Sequence, residues 1–342
     1  MIQIIKRNGE KEELNYDKIN NVLSWACEGI KGVNPSDVAV NAKLQIQDGI
    51  KSQDIHNVLI QSACNLISEE TPNYQYVAAN LLNYFIRKQI FGVKDNLPTI
   101  KEVIKSNVDY GVYDTLLLNS YTDDELSKIE KWIKHTRDFN FTYAGLQQLV
   151  DKYLVKDRFS GKTYETPQFM YMLIAMTLCA NNTDSKEKLK LVKSMYDDFS
   201  LHNISLPTPI MAGVRTPSRQ YSSCTLIDVA DTLESIGASN TAILRYTARK
   251  AGIGLNVGRI RAMGDRIRGG EVIHTGLIPF LKMFESTVKS CTQNGIRGGC
   301  LKKDTYIKCV DTVNIDGIVY SLDDYIEIDG EKKQIRNIIY NI

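Results

Sequence analysis

Residues 224–258 read CTLIDVADTLESIGASNTAILRYTARKAGIGLNVG, and the order of periodicities in this stretch decides the fold class. CTLIDV reads as a strand, SIGASNTAILRYTARKAG carries helical spacing, and GIGLNVG returns to a glycine-rich strand. Strand, helix and strand in so short a span predict an α/β unit. Gly252 and Gly254 are followed by Gly258, which is not the G-x-G-x-x-G spacing of a dinucleotide turn, so a dinucleotide-binding fold is excluded. A further helix is predicted through PFLKMFESTVKS, residues 279–290. The segment 224–299 holds half of the chain's 22 glycines, which marks a place where backbone approaches a ligand.

Working toward the N-terminus, SLPTPIMAGVRTPSRQYSSC (205–224) contains three prolines and is expected to be extended chain and turns, since proline excludes a continuous helix. From Phe91 to Tyr221 the pattern is otherwise helical, with Asp123-Asp124-Glu125 opening one helix and Phe169–Cys179 reading as a buried one. The first 89 residues predict a small hairpin, Gln3–Lys6 followed by an Arg7-Asn8-Gly9 turn. Helices follow: Ile19, Val22, Leu23 and Ala26 share one face, as do Ile55, Val58, Leu59 and Leu66 behind an expected Ser52 cap. After Gly299 the character changes to short apolar runs (306–313, 318–322, 325–328) broken by Asp316-Gly317 and Asp329-Gly330, which predict β-hairpins.

A chain of 342 residues is long enough for two or more units, each with its own core. Lys plus Arg number 42 against 40 Asp plus Glu, so overall charge gives no reason to expect nucleic acid or an anionic membrane as partner. No stretch reaches about 18 uninterrupted apolar residues, and a cytoplasmic protein is expected. The seven cysteines are scattered, without a Cys-x-x-Cys pair or histidines at zinc spacing, so neither a disulfide framework nor a metal bound by this chain is expected.

Three sets of residues carry chemistry. Lys6, Arg7, the Glu12–Lys18 stretch, Ser52 and Arg87-Lys88 lie at turns and helix ends, where together they suit a triphosphate. Charge at helix ends is also ordinary solvated surface, and spacing leaves both readings open. Cys224 follows two serines; such a cysteine is commonly a small buried apolar residue, and as a reductant it needs a resolving thiol that no spacing here identifies. Asp231-Thr232-Leu233 with Arg261 and Arg268 suits a nucleotide, a carboxylate for ribose or base and arginines for phosphate, or equally a surface salt bridge.

The ordered matches IKRNGEKEELNYDKI (5–19), DGIKSQDIH (48–56) and PNYQYVAANLLNYFIRK (72–88) resemble the ATP cone of ribonucleotide reductases, and 205–299 resembles the early barrel of the class I large subunit. The resemblance implies an ATP/dATP effector site, with Mg2+, at Lys6, Arg7, Glu12, Asn15, Lys18, Ser52, His56 and Lys88. It implies substrate diphosphate contacts at Thr208, Ser223 and Gly252, with Cys224 as one of two redox cysteines. Asp231, Thr232, Leu233, Arg261 and Arg268 become a dNTP specificity site. Gln293 and Arg297, in SCTQNGIRGG (290–299), become the loop that reports the effector to the substrate. The implied fold is multidomain, α/β and α+β: an ATP cone (1–90), a helical N-terminal domain (91–223) and the start of a ten-stranded α/β barrel (224–299). Implied partners are a radical-generating small subunit, thioredoxin or glutaredoxin, and a second copy in a homodimer.

CLKKDTYIKCVDTVNIDG (300–317) resembles the first block of an intein, with Cys300 as the splicing nucleophile, and 300–342 is expected to be a short all-β N-intein piece. No Thr-x-x-His follows Cys300, so the chain is not expected to splice alone, and the resemblance implies a radical-bearing cysteine that this sequence lacks, so no turnover is expected from it alone. A second polypeptide carrying a C-intein and the C-terminal half of the subunit is the expected partner. A stand-alone nucleotide sensor, or an inactive truncated fragment, is the rival reading.

Overall fold

The computed structural model describes residues 2–6, 9–157, 160–219, 221–249 and 251–292, with the backbone of four strands between 312 and 334. It comprises two compact units, 1–219 and 220–342.

In the first unit, β1 (Gln3–Ile5) pairs antiparallel with β2 (Lys11–Glu13) and parallel with β3 (Ile50–Lys51). Against this small sheet lie α1 (Tyr16–Cys27), α2 (Pro35–Lys43), α3 (Ser52–Asn65) and α4 (Tyr74–Phe91). The expected helical faces hold: Ile19, Leu23 and Ala26 on α1, and Ile55 and Leu59 on α3, are buried. Asn15 caps α1 by accepting from the Lys18 N–H at 3.0 Å. Ser52 does not cap α3. Pairing with β1 keeps the chain extended through Lys51, so Ser52 is already the first helical residue and that helix start has no side-chain cap.

The remaining helices of this unit are α5 (Ile100–Asp109), α6 (Leu116–Asn119), α7 (Asp123–Glu130), α8 (Tyr143–Gln148), α9 (Pro167–Cys179), α10 (Ser185–Ser200) and α11 (Thr208–Gly213). The acidic start of α7 is as expected, and Thr122 completes it with Glu125 in a capping box. α9 is buried on nearly every side, as its unbroken apolar run requires. Residues 208–213, expected as extended chain or turn, are instead a short helix. Pro209 sits in its first turn, where a missing N–H costs nothing.

Behind α11 lies a buried ion pair. The Arg215 Nε donates to Glu165 Oε2 at 2.8 Å, and both side chains are fully buried. Tyr113 Oη and the Val155 N–H donate to the same carboxylate at 2.7 and 2.8 Å.

In the second unit, β4 (Cys224–Asp228) and β5 (Gly252–Asn256) are parallel, Cys224 opposite Gly252, and joined by α12 (Leu233–Ala248). This is the strand–helix–strand unit read from the sequence, and its first strand begins at Cys224, the last residue of the 205–224 stretch. The α13 helix (Ile278–Thr292) packs on α12, and Val229, Ile243, Phe284 and Val288 share the core. A small hairpin, β6 (Arg266–Ile267) and β7 (Val272–Ile273), lies between β5 and α13. Farther on, β8 (Thr312–Ile315) pairs antiparallel with β9 (Ile318–Ser321), and β10 (Tyr325–Ile328) with β11 (Glu331–Gln334), spanning the two Asp-Gly positions. Among the described residues no helix is long and apolar enough to cross a membrane.

Two stability predictions follow from buried charge. Arg215→Met leaves Glu165 buried without its cation and should cost about 3–5 kcal/mol in urea unfolding, much of it recovered by adding Glu165→Leu. Burial, with Arg87 nearby, holds His135 neutral down to about 4, against an ordinary 6.5. The unfolded chain therefore takes up a proton that the folded chain refuses as pH falls from about 6.5 toward 4. Between pH 7.5 and 4.5 the wild type should lose roughly 2 kcal/mol more than His135→Gln. The comparison with the variant removes the opposite contribution of Asp138, whose carboxyl burial pushes up.

Candidate functional site

A cavity of about 510 Å3 opens between the N-terminal hairpin and α1, α3 and α4. Its polar wall is built by four elements. The hairpin supplies Lys6 and Glu12, α1 and its cap supply Lys18 and Asn15, α3 supplies Ser52, Gln53 and His56, and α4 supplies Tyr84 and Lys88. Ile4, Leu14, Ile19, Val22, Ile55 and Leu59 add apolar lining. Cationic and apolar lining in one cavity suit a ligand with a polyanion attached to an apolar body.

Seven of the eight residues expected at the effector site line this cavity; Arg7 lies outside the described residues. The sequence reading missed Gln53, next to Ser52, and Tyr84. Tyr84 stands one helical turn before Lys88, a spacing that puts both on one face.

The charges have settled into pairs. Glu12 forms ion pairs with Lys6 and, at 3.5 Å, with Lys18. The bond from Lys6 holds the Glu12 carboxyl below the usual carboxylate range. Lys88 Nζ lies 5.4 Å from the centre of the Tyr84 ring and donates to its hydroxyl at 3.4 Å. The His56 ring sits 5.6 Å from that of Tyr84. The first turn of α3, without a side-chain cap, presents Ser52, Gln53 and His56 to the cavity, a helix end suited to an anion.

In the second unit, Cys224 is exposed, with its Sγ 3.9 Å from the Ser223 Oγ. Gly252 stands directly across the parallel pair, and a Cβ placed on it would come within 3.5 Å of that Sγ and of the Ser223 carbonyl oxygen. Thr208, in the first unit, opens α11.

Of the five residues expected at the specificity site, Thr232 caps α12 by accepting from the Ser235 N–H, and Leu233 is exposed beside it. Asp231 and Arg261 are together, each as the other's partner: Arg261 donates through Nε to Oδ2 at 2.8 Å and through its backbone N–H to Oδ1 at 3.2 Å. These bonds, the backbone one first, hold the Asp231 carboxyl below its ordinary range. Arg268 takes no part in that pair; it sits in a left-handed turn (φ 52°) ahead of Gly269. Gln293, Arg297 and Cys300 lie outside the described residues. Among the described residues no three His, Cys, Asp or Glu side chains gather as a metal site.

Comparison with known proteins gives three successive matches. Residues 2–89 match the ATP cone domain, 139–219 the all-alpha domain of ribonucleotide reductase, and 222–303 its barrel domain. The chain is 48% identical over 296 residues to the ribonucleoside-diphosphate reductase 1 subunit alpha of Escherichia coli (strain K12) and to that of Salmonella typhimurium. Each alignment covers 86% of this chain and 39% of the relative. The subunit alpha of enterobacteria phage T4 is 47% identical over 299 residues, 87% of this chain and 39% of its own. The chain thus spans about two fifths of the length of these relatives. With an ATP cone, an all-alpha domain and the start of a barrel in that order, it carries the N-terminal portion of a class I ribonucleotide reductase large subunit.

Proposed function

We propose that this chain supplies the effector-sensing and substrate-entry portion of a ribonucleoside-diphosphate reductase, and that its cavity binds ATP or dATP. The observation that carries the effector reading is the convergence of Lys6, Lys18, Lys88 and the uncapped start of α3 on one cavity that is also lined by aliphatic side chains. The triphosphate lies among the lysines and the adenine against the aliphatic side chains. Mg2+ arrives with the nucleotide, and this chain orients the phosphates.

In the completed enzyme, Thr208, Ser223 and the open backbone at Gly252 hold the substrate diphosphate. Cys224 is one of two thiols oxidised to a disulfide as the ribose 2′-hydroxyl leaves as water, and a thioredoxin or glutaredoxin restores them. A small subunit supplies the radical. Asp231, Thr232, Leu233, Arg261 and Arg268 form the dNTP specificity site, in which an incoming nucleotide competes for the Asp231–Arg261 pair. Gln293 and Arg297 carry its message to the substrate, and two copies assemble as a dimer. The domain limits proposed are 1–90, 91–223 and 224–299, with an intein from 300.

The intein reading rests on the sequence Gly299-Cys300-Leu-Lys-Lys-Asp-Thr, on the end of the barrel match at 303, and on the paired hairpins β8–β9 and β10–β11. In the first step the Cys300 thiol attacks the Gly299 carbonyl: a thioester forms, the amide breaks and the Cys300 amine is released. A partner polypeptide brings the C-intein, and splicing in trans joins residue 299 to the rest of the barrel.

Titration calorimetry of the full chain should show ATP binding that Lys6→Gln and Lys88→Gln each weaken about ten-fold, the loss expected of one charge-assisted contact. Unaltered affinity in both variants would overturn the effector reading. For splicing, co-expression with a polypeptide carrying the C-intein and the remaining barrel should give a ligated product without the segment from Cys300 onward. Intact-mass detection of that product from Cys300→Ala would overturn the intein reading.

A further inference from the structure

The helix that carries Thr208 has little to hold it by itself. α11 is six residues long, includes Pro209 and has no side-chain cap, and helices of that length are marginal in water. Beyond the burial of Pro209 and Ile210, one guanidinium holds it. From just past the end of α11, Arg215 donates through Nη1 to Met211 O at 2.5 Å, in the last turn of the helix, where carbonyls are otherwise left open. Its Nη2 donates to Tyr153 O at 3.0 Å and to Glu165, and its Nε to the same carboxylate. The Arg215 carbonyl in turn accepts from the Asp114 N–H at 3.0 Å. Glu165, two residues before α9 begins, is held in its own right by Tyr113 Oη and the Val155 N–H. One fully buried residue thus ties α11 to three separate stretches of the first unit, at Tyr113–Asp114, Tyr153–Val155 and Glu165.

Stability alone does not call for a charge here. Buried ion pairs replaced by apolar side chains of similar volume are often no less stable. What an apolar side chain lacks is direction. The planar fork of arginine must meet its acceptors at fixed angles, whereas a methionine would fill the same space and leave α11 free to shift.

We propose that Arg215, held by Glu165, is a positioning residue that fixes α11 and so places Thr208 for the substrate diphosphate. Arg215 is fully buried and acts through the helix, not on the substrate. The substrate half of this inference rests on the reading of Thr208 as a diphosphate contact; the fixing of α11 does not.

Hydrogen exchange of the full 342-residue chain tests the fixing of α11. Arg215→Lys keeps a cation beside Glu165, but a single ammonium cannot also span Tyr153 O and Met211 O. Arg215→Met with Glu165→Leu removes both charges and is the second variant should the lysine chain fold poorly. In each, the amides of 210–214 should exchange about ten-fold faster than in the wild type. Val192→Ala, which opens the core at a buried position of α10, lowers stability elsewhere and should leave 210–214 unchanged. Unchanged exchange at 210–214 in both Arg215 variants, or the same acceleration in Val192→Ala, overturns the positioning role.

The ligated reductase from co-expression tests the substrate half. Arg215→Lys should raise KM for a ribonucleoside diphosphate about ten-fold with kcat nearly unchanged, as Thr208→Ala should, and the two together should be no worse than Thr208→Ala alone. If Arg215→Lys raises KM further in the Thr208→Ala enzyme, it does not act through Thr208 and the positioning role is lost. If 210–214 loosens and neither substitution moves KM, the fixing of α11 stands and the reading of Thr208 as a substrate contact is lost.

Discussion

The first unit depends on the register of a single helix. The 18 residues of α4 are buried on several sides at once, and those sides make different demands. Tyr84 and Lys88 face the cavity. Asn80 donates to Ala26 O of α1 at 2.9 Å, and Asn83 donates to Asp138 O at 2.7 Å. Arg87 pairs with the Asp138 carboxylate at 2.9 Å and donates to His135 O at 2.8 Å. Buried amides and charges must be paired, so these contacts hold α4 at one rotation about its axis. A slip of one residue would turn the helix by about 100° and bring Arg87 toward the cavity while stranding Asp138. The placement of Tyr84 and Lys88 at the cavity is thus set by an ion pair on the adjoining flank of the same helix. Among the described residues, Arg87 Nε and His135 Nδ1 at that joint have no hydrogen-bond partner.

The second unit obeys a different constraint. A parallel strand pair crossed by one helix buries only one face, here through Val229, Ile236, Ile243 and Phe284. On β4, Leu226 remains 85% exposed, and its neighbour across the pair is Gly254. Cys224 and Gly252 stand opposite one another two residues earlier, so the exposed cysteine is placed by the strand register. Two strands do not make a stable sheet by themselves, and β4 leaves the apolar Leu226 open.

Much of this was legible in the sequence where periodicity is local. The α1 and α3 faces and the buried run of α9 follow from spacing within one element, and the β4–α12–β5 alternation and the paired hairpins β8–β9 and β10–β11 from the succession of neighbouring ones. So did seven of the cavity's residues, through an ordered resemblance in three short stretches. What spacing could not show depends on long-range geometry. Ser52 looked like a cap, but a strand pairing at Lys51 moved the helix start by one residue. Pro209 looked like a breaker, but a first-turn position makes proline a helix former. Asp231 and Arg261, which suited a nucleotide or a surface salt bridge equally, hold each other across 30 residues of chain. The Glu165–Arg215 pair, 50 residues apart, carries no local signature.

Hydrogen exchange of the full chain with and without ATP tests the effector account most directly. Occupation of the cavity should slow exchange in the hairpin and α1 around residues 3–6 and 11–19, in the first turn of α3 at 52–56, and in α4 near 84–88. Protection confined to residues 224–292, or none anywhere at saturating ATP, would contradict it.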